Sequence, residues 1–139
     1  METATGIPDG FAPHFKKSGL TDPWEPLYSR NTGEALQIGL RAGPAHTNSR
    51  GFVHGALITA LADNAMGLSC ALSLNGLTGL VTVGLSVDFL SSAQIGQWLE
   101  VRPVVLRAGK SLCFSTATIH ADDSLCARAN ATFRAMQAA

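Results

Sequence analysis

The spacing of apolar positions changes character along the chain. Up to about residue 26 no period holds. Pro8, Pro13, Pro23 and Pro26 interrupt the run, with Gly6, Gly10 and Gly19 among them. Regular helix is excluded there beyond a turn or two. Phe11, Phe15, Leu20, Trp24 and Leu27 are expected to pin this arm, residues 1–26, onto a domain spanning 27–139. Residues 27–30 and 35–40 then flank Asn31-Thr32-Gly33-Glu34, a hairpin turn signal. Residues 41–53 hold Gly43, Pro44, Asn48 and Gly51 and read as an ordered loop.

From about residue 54 to 74 the pattern is helical and apolar on nearly every side, which predicts a helix at the centre of a core. Asn75-Gly76 stops it. After it come four segments rich in Val, Thr, Phe and Leu, at 80–90, 98–106, 112–120 and 125–133. Short polar connections between them imply antiparallel neighbours. The sum is an α+β fold: a hairpin, one buried helix, then strands of an antiparallel sheet wrapped around that helix.

Composition sharpens this reading. Of 139 residues, 46% are apolar and 14% charged, against about 25% charged in ordinary soluble proteins. A surface so poor in charge points to burial beyond the monomer, in a membrane or a partner subunit. The apolar stretch 53–74 carries Asp63 and Asn64 at its centre, where a carboxylate costs roughly 2.5–3.5 kcal/mol to insert in a bilayer. No basic cluster flanks it, so a buried helix in an oligomer fits better. The opening METATGIPDG lacks the basic and apolar regions of a signal peptide, and a cytoplasmic location is expected. Ten acidic and ten basic residues balance without a basic stripe, which argues against nucleic acid as partner. Cys70, Cys113 and Cys126 form no CxxC, and are expected as reduced, buried thiols. His14, His46, His54 and His120 have no metal-ligand spacing, so no metal is expected. No Gly-x-Ser-x-Gly elbow is present.

The informative stretch is Asn48-Ser49-Arg50-Gly51-Phe52-Val53-His54-Gly55-Ala56, leading into the helix that bears Asp63. It resembles the hotdog-fold acyl-CoA thioesterases, in the branch of the phenylacetyl-CoA thioesterase and thioesterase superfamily member 2. Their signature is an Asn, then Gly-x-x-His-Gly-Gly, then a helix with a catalytic Asp nine positions after the His. Gly51, His54 and Gly55 match, Ala56 replaces the second Gly, Asn48 stands six before the His, and Asp63 stands nine after it. The likeness runs over roughly residues 27–134.

The resemblance implies a hotdog fold, a homodimer that pairs further into a tetramer in some relatives, and hydrolysis of an acyl-CoA to free acid and CoA. Coenzyme A enters as part of the substrate, and no resident cofactor is implied. Asp63 would be general base or nucleophile, with the Gly55 N–H polarising the thioester carbonyl. His54 takes a supporting role, Asn48 caps the loop or places the thioester, and Thr82 holds water or is an ordinary strand residue. CoA contacts carry over to the turn Arg107-Ala108-Gly109-Lys110-Ser111, to Arg134, and to Phe89 and Ser91; solvated turn charges would look the same.

Elementary physics agrees with part of this. A helix N-terminus offers unpaired N–H groups and about half a positive charge, suited to a developing oxyanion. Asp63, eight residues after Gly55, lies ~12 Å farther along the axis. That is too far for one chain to use both on one carbonyl, so a dimer with antiparallel helices is expected to share each site. Two rivals remain. A hotdog hydratase or dehydratase needs a closer Asp and His pair. An acyl-CoA-binding module without catalysis has no use for a carboxylate in an apolar helix, whose burial costs free energy. With 6% aromatics and many small helix residues, an aryl or a medium-chain acyl group is compatible.

Overall fold

The computed structural model describes residues 6–137; the first five residues of the arm and the last two of the domain lie outside them. Seven strands form one antiparallel sheet: β1 (Ala12–Pro13), β2 (Tyr28–Asn31), β3 (Leu36–Arg41), β4 (Leu77–Phe89), β5 (Trp98–Ala108), β6 (Leu112–Ala121) and β7 (Ser124–Gln137), in the order β1-β2-β3-β5-β6-β7-β4. The helix α1 (Gly55–Leu72) lies in the concavity of this sheet. The α+β architecture expected from the pattern, and the hotdog fold that the resemblance implies, are observed.

The β2–β3 hairpin turns where expected: Asn31 pairs with Leu36, and Gly33 takes a φ of +90°. Residues 41–53 form a loop with one 3-10 turn at Pro44–His46. The last four strands run one to four residues longer than their apolar patterns at most ends, because ladder hydrogen bonds continue past the buried segment.

The core is the contact between α1 and the inner sheet face. Nine of its eighteen residues are buried, among them Leu57, Leu61, Ala65 and Met66. On β7, Ala127, Ala129, Ala131, Phe133 and Ala135 point at α1 at strictly alternating positions, all nearly inaccessible. Small side chains there let the helix approach closely. By length and composition α1 could cross a membrane, and half of it is buried within this fold. Ser69 makes one specific tie: its hydroxyl accepts from the Leu36 N–H at 2.9 Å and donates to the Ala65 carbonyl at 2.7 Å.

Two expectations fail. Phe11 (9% exposed), Trp24 and Leu27 (1%) do anchor the arm, and the Phe11 ring meets Trp98 edge-on at 5.1 Å. Phe15 and Leu20, however, are 68% and 67% exposed. They lie where the arm leaves the sheet and crosses over α1, so solvent remains on one side of each. The thiols differ too. Cys70 of α1 and Cys113 of β6 are joined in a disulfide, with Cα atoms 6.2 Å apart, and only Cys126 is a free, buried thiol. The pair is created by the helix lying across β6, a contact that a separation of 43 residues does not reveal.

Closing a loop of that length stabilises the fold by roughly 4 kcal/mol in the chain-entropy account. A peptide map without reduction is expected to recover Cys70 and Cys113 linked and Cys126 alone alkylated after denaturation. Recovery of three alkylated cysteines refutes the link.

Two histidines make stability depend on pH. Burial holds His14 below the ordinary 6.5, a shift that neighbouring Lys17 and Lys16 reinforce and Glu25 opposes. Burial and then Arg102 lower His120, against Glu100 and Asp123. The unfolded chain therefore takes up protons first as pH falls, so this stability is present above about 6.5 and is lost as pH drops toward the folded-state values. The thermal midpoint is expected to decline between pH 7 and 5.5, less steeply in His14→Phe. Equal slopes exclude His14 as a source.

Candidate active site

Asp63 sits midway along α1 on the side facing β4, half-buried. Thr82 of β4 donates its hydroxyl proton to Asp63 Oδ1 at 2.7 Å. No other hydrogen bond to the carboxylate is formed within the described residues, and Oδ2 is left free. Asp63, Asn64 and Thr82 line two adjoining hollows between α1 and β4, of about 430 and 510 Å³.

A β-bulge positions Thr82. Leu80 lies opposite Ala135 and Thr82 opposite Phe133, but Gly84 lies opposite Thr132, so one extra residue, Val83, is accommodated between them. Directly opposed residues share a face, so Leu80 and Thr82 point toward α1 beside Ala135 and Phe133. Beyond the bulge the parity reverses: Leu85, Val87 and Phe89 face α1, opposite Ala131, Ala129 and Ala127. In a regular strand Ser86 and Asp88 would take their places. Instead Asp88 points outward, into an ion pair with Arg128 at 2.9 Å.

The helix N-terminus is built by the loop before it. Asn48 Oδ1 accepts from the N–H groups of Arg50 (2.9 Å) and Phe52 (3.2 Å), and Gly51 turns the chain with φ +85°. His54 N–H donates to the His46 carbonyl at 2.8 Å. His54 is the N-cap: its Nδ1 accepts from the Ala56 N–H at 2.9 Å, a contact of a kind contributing about 1 kcal/mol. Asn48 and His54 thus hold loop and helix together. The Gly55 N–H has no partner within the described residues and remains available. The space of its missing side chain is taken by Phe89: a Cβ there would stand 3.1 Å from Cζ of that ring.

The remaining candidates fall into separate places. Phe89 and Ser91, whose hydroxyl donates to the Leu125 carbonyl at 3.2 Å, lie at the end of β4 beside Gly55. Arg107 to Ser111 form the β5–β6 turn, closed by the Gly109 N–H on the Leu112 carbonyl at 2.9 Å. Arg134 is exposed on the outer face, opposite Leu112 and Val81. Six steps along β6 separate the Cys113 row from the Ile119 row that meets Phe89 through Ala127, which is ~20 Å of strand. Arg107 and Ala108 line a different hollow, with Glu34 and Leu72. One chain therefore brings Asp63 to Thr82, and Gly55 to His54 and Phe89, but does not unite these groups with the basic turn.

Sequence reasoning missed the arm. His14, Lys16, Lys17, Ser18 and Thr21 line the 430 Å³ hollow together with Asp63. Nothing in an aperiodic, proline-broken segment signals which distant element it will cross.

Comparisons with known proteins bear on this arrangement. The Thioesterase superfamily model matches residues 50–127. The Pseudomonas aeruginosa protein named Putative esterase PA0474 is 37% identical over 128 residues, which is 91% of this chain and 96% of its own. Human Acyl-coenzyme A thioesterase 13 is 31% identical over 74 residues, 53% of this chain and 52% of its own. Zebra fish thioesterase superfamily member 2 has a similar structure, with a TM-score of 0.77 at 21% identity, covering 86% of this chain and 88% of that one. A hypothetical thioesterase protein of Streptococcus pneumoniae, solved with coenzyme A, gives 0.73 at 18%, covering 80% and 86%. At such identities the structures establish the fold alone. The family match and the extended likeness to the Pseudomonas protein go further: this chain belongs to the thioesterase superfamily.

Proposed function

We propose that the protein hydrolyses an acyl-CoA to free acid and CoA, with Asp63 driving the attack on the thioester. The observation that carries this is the Asp63–Thr82 contact of 2.7 Å at the wall of a cleft. A carboxylate in the middle of an apolar helix is held by one hydroxyl, with its second oxygen free beside space for a substrate. As general base, Oδ2 takes a proton from water as the oxygen attacks the carbonyl carbon; the C–S bond then breaks and CoA leaves as the thiol. As nucleophile, the same oxygen attacks directly and water resolves the mixed anhydride. Acyl-CoA as the substrate class is supported by the human relative, an acyl-coenzyme A thioesterase, and by the coenzyme A bound to the similar Streptococcus protein.

The carbonyl oxygen needs a donor, and the Gly55 N–H is that group. It stands ~12 Å from Asp63 along α1, so the working site takes Gly55 from one chain and Asp63 from another. A homodimer with antiparallel central helices provides this. The edge strand β4 carries Val81 and Val83 in the open. A second copy would cover such an unprotected apolar edge. A hydratase or a binding module gains no support from an Asp paired with a threonine instead of a histidine.

Asp63→Asn is expected to lower turnover on the best acyl-CoA by roughly 10²–10⁴ while leaving the thermal midpoint level or raised. A wild-type rate sinks the catalytic assignment. Shared sites have a sharper test. Gly55→Pro removes that N–H at a helix position where proline is welcome; its ring also presses on Phe89, 3.1 Å from a Cβ there, so its thermal midpoint is measured alongside. Mixing it with Asp63→Asn and reassociating makes half the dimers mixed, each with one intact site of two. Activity should return to about a quarter of wild type; no recovery between chains that do exchange excludes the shared site.

A further inference from the structure

The hollow that ends at Asp63 has two unlike walls. The inner wall is apolar, with Gly67, Leu68 and Ala71 of α1, Leu77 and Leu80 of β4, and Phe133 of β7. The outer wall is the polar arm. Most of its groups are already satisfied: the hydroxyls of Ser18 and Thr21 bond each other at 3.0 Å, and Lys17 pairs with Glu25 at 3.0 Å. Two are left over. Lys16 has neither ion pair nor hydrogen bond within the described residues. His14 is 3% exposed, and its Nδ1 is buried with no partner.

Stranding such a nitrogen costs about 1–3 kcal/mol, and an apolar ring would pack in that place without the cost. Unsatisfied buried polar atoms are few in native proteins and call for a reason. The histidine ring lines a space of about 430 Å³, within the usual range of small-molecule sites. The space follows α1 from Asp63 to Ala71, ~12 Å along the axis. If Asp63 works on the thioester, the tail of the acyl group runs toward the arm.

We propose that the arm is the wall that selects the acyl tail, with the His14 ring turning from its closed position, where Nδ1 is out of reach of water, to donate a hydrogen bond to an oxygen at the tail's far end. The ligand class is an acyl group ending in an oxygen acceptor, a carboxylate or a hydroxyl, and the unpaired Lys16 favours the carboxylate. A tail ending in methyl leaves His14 stranded and gains only the apolar wall. The inference rests on the thioesterase reading for the direction of the tail.

The test compares ω-carboxyacyl-, ω-hydroxyacyl- and plain acyl-coenzyme A, matched at six, eight and ten carbons, on wild type, His14→Phe and Lys16→Met. The better oxygen-ended thioester at its best length should exceed its plain counterpart about tenfold in kcat/KM, one good hydrogen bond's worth. His14→Phe should bring that ratio within about twofold of one, and Lys16→Met should lower carboxylate-ended substrates relative to hydroxyl-ended ones. Wild-type preference for plain tails overturns the proposal, as does a ratio unchanged in His14→Phe. Titration calorimetry with S-(ω-carboxyalkyl)- and S-alkyl-coenzyme A thioethers, which cannot be hydrolysed, reads the same preference without turnover. Preference in binding with no hydrolysis sinks the thioesterase reading and keeps the arm pocket. Hydrolysis with no preference in either assay does the reverse.

Discussion

An apolar helix surrounded by water is not a stable object, and the rest of this fold is an arrangement for covering one. α1 is apolar on nearly every side, so a flat sheet covering one face would not suffice. The sheet must curl. Alternation along β7 supplies a row of alanines with one phenylalanine, against which the helix seats closely. The disulfide from Cys70 to Cys113 and the Ser69 tie to Leu36 fix the helix to opposite parts of the sheet.

What the sheet leaves uncovered decides where chemistry is possible. Along the β4 side, Asp63 and Asn64 replace the apolar residues that would seal the seam, and Thr82 meets the carboxylate there. A carboxylate fully enclosed would be costly to keep charged, while one on an open surface would be screened by water. The seam is between these limits. The arm, rather than the sheet, roofs the adjacent space, so its polar side chains become part of the wall.

Fold and site were legible to different depths. The helix was readable because one long apolar run without a polar side has few other uses, and the strands because alternation and short polar turns recur. The spacing of Gly51, His54, Gly55 and Asp63, through the resemblance it carries, singled out the candidate site. Thr82 was singled out by resemblance alone, as a holder of water and not as the partner of Asp63 that it is in the structure, since a threonine in a strand is unremarkable by composition. Three features had no signal. The Cys70–Cys113 contact depends on where a helix crosses a sheet. Phe15 and Leu20 look like anchors in one dimension and lie over open ground in three. The part of His14 depends on the path of an aperiodic segment, which no period encodes.

The bulge at Val83 has a consequence for how such a chain can vary over time. It lets an even-numbered threonine and an odd-numbered phenylalanine, Thr82 and Phe89, look at the same helix. Substitutions at most positions of β4 change one side chain. Loss of Val83 would close the bulge into a regular strand with Thr82 and Phe89 still on the helix side, whereas an insertion, or a deletion that keeps the bulge, would invert every side chain on one side of the change. In descent from a common ancestor, the residue count of this strand and its bulge therefore change together or not at all.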